Sequence, residues 1–116
     1  MNNDWYDDAV SEVVVAAESL KASLDLVLQS LRRSEELRRD HKSLRQLVAA
    51  VIEQGGKDVR LASTAAFEAY ERAVTSYRSQ VVRALVDEEG MTFTEVGTQL
   101  GVSRQMVARL YRLPGS

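Results

Sequence analysis

The chain has 116 residues, 28% of them charged, and a formal net charge of -2. This length suffices for about one domain with a modest core, and it excludes separate catalytic and binding domains. Because the chain has no cysteine, it forms neither a disulfide framework nor a thiolate metal site, and this composition is typical of the reducing cytoplasm.

Charge is distributed unevenly along the sequence. Residues 1–30 carry six acids and one lysine, a net of -5, whereas residues 31–60 carry eight basic and five acidic side chains, a net of +3. The N-terminal ten residues lack the basic and apolar regions of a secretion signal, and the longest apolar runs are too short to cross a bilayer. We therefore expect a cytoplasmic protein that does not enter a membrane.

The first predicted element is a long amphipathic helix over residues 10–54. Its apolar residues recur at alternating steps of three and four, the heptad spacing of a helix that packs on another helix. These seam residues are Val10, Val13, Ala17, Leu20, Leu24, Val27 and Leu31. We predict that the seam joins two copies into a homodimer. An intramolecular bundle that uses the same residues is the alternative.

The heptad phase slips after Leu31, because the next leucine is Leu37. Residues 32–43 are highly charged but contain no glycine or proline, which favours a continuous or kinked helix over a break. The basic residues of this segment suit phosphates or an acidic partner, but interleaved acids favour an ordinary exposed helix surface. His41 is the only histidine, and it has no metal-ligand pattern around it, so we expect it to be exposed.

Gly55 and Gly56 form the one strong internal stop. They divide the chain into an N-terminal region, residues 1–57, and a C-terminal region, residues 58–116. No Walker pattern surrounds the pair, so helix punctuation explains it better than phosphate binding. A second long helix should begin at Asp58 or Thr64 and end at about Glu89. The two long segments are predicted to form a helical hairpin.

Two short helices are predicted near the C-terminus. Thr92 and Glu95 have the spacing of a capping box, which starts the first helix, and Ser103 can cap the second. Gly97 provides a small residue where the two short helices cross. Gly101 provides a turn residue that tolerates positive φ. The last turns of the preceding helix, with Val82, Leu85 and Val86, should pack beneath the inward apolar positions of these helices: Phe93, Val96, Leu100, Val102, Val107 and Leu110.

The other side of the second short helix is predicted to be cationic. Helical geometry turns six residues outward: Ser103, Arg104, Gln105, Ala108, Arg109 and Arg112. Arginine can pair with guanine and glutamine with adenine, each through two hydrogen bonds, while the small Ala108 would let the helix approach base edges. No acid occurs from residue 102 onward, which favours a polyanionic partner. Together with Thr92 and Thr94, these six residues are the predicted DNA-binding site.

Residues 81–112 resemble the helix-turn-helix domains of bacterial transcription regulators, in particular the sigma factor domain that reads the upstream promoter element. There a helix similar to residues 81–89 precedes a segment like residues 91–96 (MTFTEV) and a reading helix like residues 103–112. The resemblance covers about the last third of the chain. The remainder of a sigma factor is missing, so polymerase-directed initiation is not implied.

The sequence thus predicts an all-α fold, a long helical hairpin or coiled coil followed by a C-terminal trihelical helix-turn-helix head. We expect a DNA-binding transcription regulator that reads two half-sites of duplex DNA as a homodimer. The alternative is a protein-interaction module, an antitoxin or adaptor whose N-terminal helices bind a partner protein. No nucleophile elbow, zinc motif or glycine-rich phosphate loop occurs, so we expect no enzyme activity, metal or cofactor.

Overall fold

The computed structural model describes residues 4–40 and 43–114. Within these ranges the chain forms five helices and no strand: α1 Asp4–Asp40, α2 Leu44–Glu53, α3 Gly56–Asp87, α4 Phe93–Leu100 and α5 Arg104–Arg112. The all-α class and the long first helix are confirmed. None of the described helices combines the length and the apolar character needed to pass through a membrane.

The continuous or kinked helix favoured for residues 10–54 is wrong, because α1 ends at Asp40 and a separate helix, α2, begins at Leu44. Ser43 is the N-cap of α2 and has an extended backbone, with φ -134° and ψ 155°. Its Oγ accepts a hydrogen bond from the backbone N–H of Gln46 at 3.2 Å. The side chain thus satisfies one of the donors that a helix start leaves without a backbone partner. His41, predicted to be exposed, lies outside the described residues.

The predicted stop is confirmed at Gly55, whereas Gly56 is already the first residue of α3. Gly55 has a φ of 89°, and α3 begins directly after it, two residues earlier than Asp58. A Cβ on Gly56 would lie 2.6 Å from Val51 Cγ1 and 2.9 Å from the Val51 carbonyl oxygen. The close approach of α2 therefore excludes a side chain at Gly56.

The described chain divides into two compact units. The first unit contains the described residues up to Val14 together with those from Glu71 onward, and the second unit is Val15–Tyr70. The long helices α1 and α3 each contribute to both. In the second unit a shallow cleft is lined by residues of all three helices, among them Leu37, Val51 and Val59.

The predicted seam of α1 is unevenly buried. Leu24 and Leu31 are 49% and 56% exposed, and Leu28, on the same side of the helix, is 48% exposed. The other seam residues are partly buried: Val10, Val13, Ala17, Leu20 and Val27. The second unit therefore carries an exposed apolar row on α1, which we name the α1 stripe: Leu24, Leu28 and Leu31.

The core of the first unit lies between the end of α3, α4 and α5. Val82, Val96 and Val107 are fully buried and Leu110 nearly so. Partly buried neighbours surround them: Leu85, Val86, Met91, Phe93, Tyr111 and Leu113. The predicted packing of α3 beneath the two short helices is thus confirmed for most of the core.

Two of the predicted core positions are wrong. Leu100 and Val102 are 44% and 39% exposed. They flank the turn at Gly101 and line an open groove instead of the closed core. Spacing predicts the side on which they lie, but none of the described segments of the first unit covers them fully.

Candidate nucleic-acid interface

The start of α4 is fixed by the capping box that the sequence predicts. Thr92 Oγ1 accepts a hydrogen bond from the Glu95 N–H at 3.1 Å, and Glu95 Oε1 accepts one from the Thr92 N–H at 3.2 Å. A threonine hydroxyl that accepts in this way still has its own proton to donate. The side chains of Thr92 and Thr94 are both exposed, so they can reach an acceptor outside the protein.

The turn between α4 and α5 brings the two backbones into direct contact. A Cβ on Gly97 would lie 2.7 Å from the Val102 carbonyl oxygen, and the Val102 N–H donates to the Gly97 carbonyl at 2.9 Å. Gly101 closes α4 with φ 73° and ψ 32°, the left-handed region that favours glycine. The predicted roles of both glycines are confirmed.

The start of α5 is capped by Ser103, also as predicted. Its Oγ accepts from the Met106 N–H at 3.0 Å. Ser103 is exposed, as are four of the five other residues predicted to face outward: Arg104, Gln105, Arg109 and Arg112. Apart from Ser103, which caps α5, these exposed residues belong to a helix of nine residues that carries three arginines and no acid.

The outward orientation predicted for Ala108 is wrong, because this residue is only 9% exposed. Successive helix residues are rotated by about 100°, which places Ala108 beside the fully buried Val107 at the edge of the packed side. Gln105, Arg109 and Arg112 lie three and four residues apart and share the opposite side. We name these three residues the α5 face.

Arg104 is exposed, as predicted, and it also makes a contact that the sequence does not predict. Its guanidinium Cζ lies 5.8 Å from the centre of the Phe93 ring, within the range of a cation–π contact worth about 0.5 to 1 kcal/mol at an exposed site. The Phe93 ring in turn packs against Tyr111 at 5.3 Å between ring centres. Arg104 is thereby held beside the first residue of α4.

Three polar side chains of α3 attach the end of α5. Ser79 is buried, and its Oγ donates to the Leu110 carbonyl at 2.8 Å. Arg83 Nε donates to the Tyr111 carbonyl at 3.2 Å, so side chains of α3 supply donors to two carbonyls in the last turn of α5.

The third attachment joins the side chains of Tyr111 and Asp87. The Tyr111 hydroxyl donates to Asp87 Oδ1 at 2.8 Å. This hydrogen bond, and the negative charge of the carboxylate, raise the pKa of Tyr111 above its usual value of 10.0. The signal for this set of contacts was present in the sequence, since the α3 residues recur at intervals of four and therefore share one side of the helix.

The described residues contain no group of three or more histidine, cysteine or acidic side chains arranged to hold a metal ion. Comparison of the chain with protein-family models, with curated proteins and with solved structures finds no match. The interpretation of the α5 face therefore depends on its geometry and its charge.

Proposed function

We propose that this protein is a sequence-specific, DNA-binding transcription regulator that acts in the cytoplasm and places α5 in the major groove of duplex DNA. In this proposal residues 81–112 form a helix-turn-helix head. The observation that supports it most is the asymmetry of α5. One side is packed and hydrogen-bonded to α3, whereas the other presents arginine and glutamine to solvent without an acid.

The exposed residues of α5 and its N-cap Ser103 divide into two roles by position. Gln105 and Arg109, in the middle of the exposed side, are assigned to base edges, glutamine to adenine and arginine to guanine. Ser103, Arg104 and Arg112 are assigned to phosphates, which position the helix on the duplex without reading its sequence. Because Ala108 is buried, close approach to the bases depends on Gln105 and Arg109 alone.

The N-terminal caps of α4 and α5, together with the contacts from α3, explain how a helix of nine residues can be held firmly enough to read bases. Side chains that read bases must be held within a fraction of an ångström of the productive geometry. Here the scaffold is fixed at both ends of α5, by the Ser103 cap and by the bond from Ser79 to the Leu110 carbonyl. The exposed side chains can therefore adjust on DNA while the backbone stays in place.

A salt titration tests whether these arginines contact DNA. The affinity for a duplex of random sequence should fall steeply with salt concentration, and replacing one phosphate-binding arginine should reduce the slope by about 1. We expect this reduction for Arg112→Ala. Arg72→Ala is the matched control, because Arg72 is also an exposed arginine of the first unit and lies outside the proposed site. Absence of binding even at about 50 mM salt, or equal slopes for the two variants, would contradict the proposal.

The proposal includes a homodimer formed by the α1 stripe, which belongs to the second unit. A single reading helix discriminates few base pairs, whereas two copies read half-sites about 34 Å apart, one turn of DNA. Leu24→Glu should convert a dimer to a monomer in sedimentation at micromolar concentration. Val15→Glu is the matched control. Val15 is 67% exposed. It precedes Leu24 by nine residues, which places it about 180° away, on the opposite side of the same helix. A monomeric wild-type protein would end this part of the proposal.

The exposed apolar row of α2 favours the second candidate, a protein-interaction module. Leu44, Val48 and Ile52 are 74%, 47% and 53% exposed and recur at intervals of four. Apolar residues in such a row are typical of a helix surface that binds another protein. A stoichiometric partner that copurifies with the wild type from native cells, and is lost from Val48→Glu, would favour this candidate.

A further inference from the structure

An open groove beside α5 is the feature of the first unit that DNA binding leaves unexplained. It has a volume of about 530 Å³ and lies between α3, the Gly101 turn and α5. Six apolar side chains line it: Val81, Leu100, Val102, Met106, Leu110 and Leu113. Leu100, Val102 and Met106 are each between 39% and 44% exposed. Large apolar side chains grouped around an opening mark a surface that binds another molecule.

The charged residues of the groove have a single sign. Arg78 from α3 and Arg109 from α5 contribute to the lining, and among the described residues no carboxylate does. Two cations beside an apolar floor are complementary to an occupant that has apolar side chains on one side and acidic side chains next to them.

We propose that this groove binds an acidic amphipathic helix of another protein. The groove is open and its apolar side chains remain partly accessible, whereas sites for small ligands enclose most of the ligand surface. An amphipathic helix fits an open groove because its apolar residues, spaced i, i+3, i+4 and i+7, enter it along one side. The acidic residues that flank this row then reach Arg78 and Arg109.

A second copy of this chain fits the groove less well. The acidic, aromatic start of α1 is the segment with suitable chemistry, but it already packs within its own first unit. The hydroxyls of Tyr6 and Tyr77 share a hydrogen bond at 3.3 Å, and Trp5 lines a cleft on α3 with Gln80 and Arg83. The partner is therefore a different protein.

Arg109 belongs both to the groove and to the α5 face. A docked acidic helix would neutralise it and reduce the affinity of the α5 face for DNA. This consequence depends on the proposed DNA-binding function, whereas the docking itself does not.

Two labelled peptides of about 18 residues test the docking. Both have leucines spaced i, i+3, i+4 and i+7, and they differ only in the flanking residues, which are glutamate in one and lysine in the other. Fluorescence anisotropy with the intact protein should show that the glutamate peptide binds about tenfold more tightly or better. Met106→Glu should abolish this binding, and chemical shift changes of the methyl groups should be confined to the groove.

Arg78→Glu tests the charge complementarity. It should weaken binding of the glutamate peptide about five- to tenfold, whereas Arg72→Glu on the same helix should change it less than twofold. Unchanged far-UV circular dichroism and Trp5 fluorescence establish that the variants are folded. Because Arg78 lies outside the proposed DNA site, Arg78→Glu should retain most of the DNA affinity.

Several results would overturn the docking proposal. The first is equal affinity for the two peptides. The second is no binding of either peptide at about 1 mM, a concentration at which even a weak specific complex would form. The third is an equal effect of Arg78→Glu and Arg72→Glu. If the wild-type protein self-associates and Met106→Glu abolishes this self-association, the occupant of the groove is a second copy of the chain and not another protein. Peptide binding without any DNA binding would leave the docking intact and refute only the proposed function, so the two failures are distinguishable.

Discussion

Gly97→Ala places two well-known effects of glycine replacement in opposition. In the interior of a helix, alanine is more favourable than glycine by about 1 kcal/mol. Gly97 is buried within α4, and a Cβ there would lie 2.7 Å from the Val102 carbonyl oxygen. The atom that must give way belongs to the backbone of the turn, so no side-chain rotation can relieve the contact.

The contact should outweigh the gain in helix propensity. Overpacking of a close contact costs typically about 1 to 3 kcal/mol. Moving the turn also weakens the hydrogen bond from the Val102 N–H to the Gly97 carbonyl, now 2.9 Å long, at a further cost of about 1 kcal/mol. After subtracting about 1 kcal/mol for helix propensity, we expect Gly97→Ala to lower the free energy of unfolding by about 1 to 3 kcal/mol.

Equilibrium unfolding in urea measures this change. Trp5 is the only tryptophan of the chain and belongs to the same unit, so its fluorescence follows the unfolding of that unit. Gln99→Ala, an exposed position of the same helix, should change the free energy by less than about 0.5 kcal/mol. If Gly97→Ala were as stable as the wild type or more stable, helix propensity would dominate and the tight approach of α4 and α5 would be disproved.

Three further predictions concern the N-terminal cap of α4 and the hydrogen bonds that attach α5 to α3. Ser79→Ala removes the buried bond to the Leu110 carbonyl and should cost about 1 kcal/mol in the same urea assay, whereas an unchanged midpoint would show that this bond contributes nothing. Thr92→Ala removes half of the capping box and should cost about 1 kcal/mol, with Thr92→Ser restoring most of it; failure of serine to do so would contradict a capping role. A raised pKa means that folded Tyr111 holds its proton more tightly than the unfolded chain does. Stability from this group is therefore fully present below pH 10 and lost as pH rises through the folded pKa. Above pH 10 the melting temperature should accordingly fall less steeply for Tyr111→Phe than for the wild type. Part of the decline that remains in the variant comes from Tyr77, because its hydrogen bond with Tyr6 also raises the pKa of Tyr77. Equal declines in the two proteins would refute the coupling to Asp87.

The elements near the C-terminus were predictable because their signals are local. The capping box of Thr92 and Glu95 and the left-handed turn at Gly101 each depend on residues only a few positions apart. The break before α2 also had a local signal, since Ser43 and Gln46 have the Ser-x-x-Gln spacing of a helix start. The absence of glycine and proline from residues 32–43 indicates a continuous helix instead, and of these two opposing local signals the helix cap is the correct one.

Other features depend on contacts between distant residues, which a single sequence does not reveal. Periodicity places Ala108 near the boundary between the two sides of α5, but the neighbours that bury it decide which side it joins. The exposure of Leu100 and Val102 has the same cause, because coverage depends on tertiary packing rather than on spacing. The bond from Ser79 to the Leu110 carbonyl spans 31 positions and had no signal beyond the periodic polar residues of α3.

The DNA-reading role of the α5 face is the central claim, and the most direct test is selection of bound duplexes from a random pool by the intact protein. The proposal predicts that one consensus emerges, repeated as two half-sites about 34 Å apart. On that consensus Gln105→Ala should lose about 1 to 3 kcal/mol of binding free energy while its affinity for random DNA stays nearly constant. A pool that remains random, or equal losses of affinity on consensus and random duplexes, would contradict the claim.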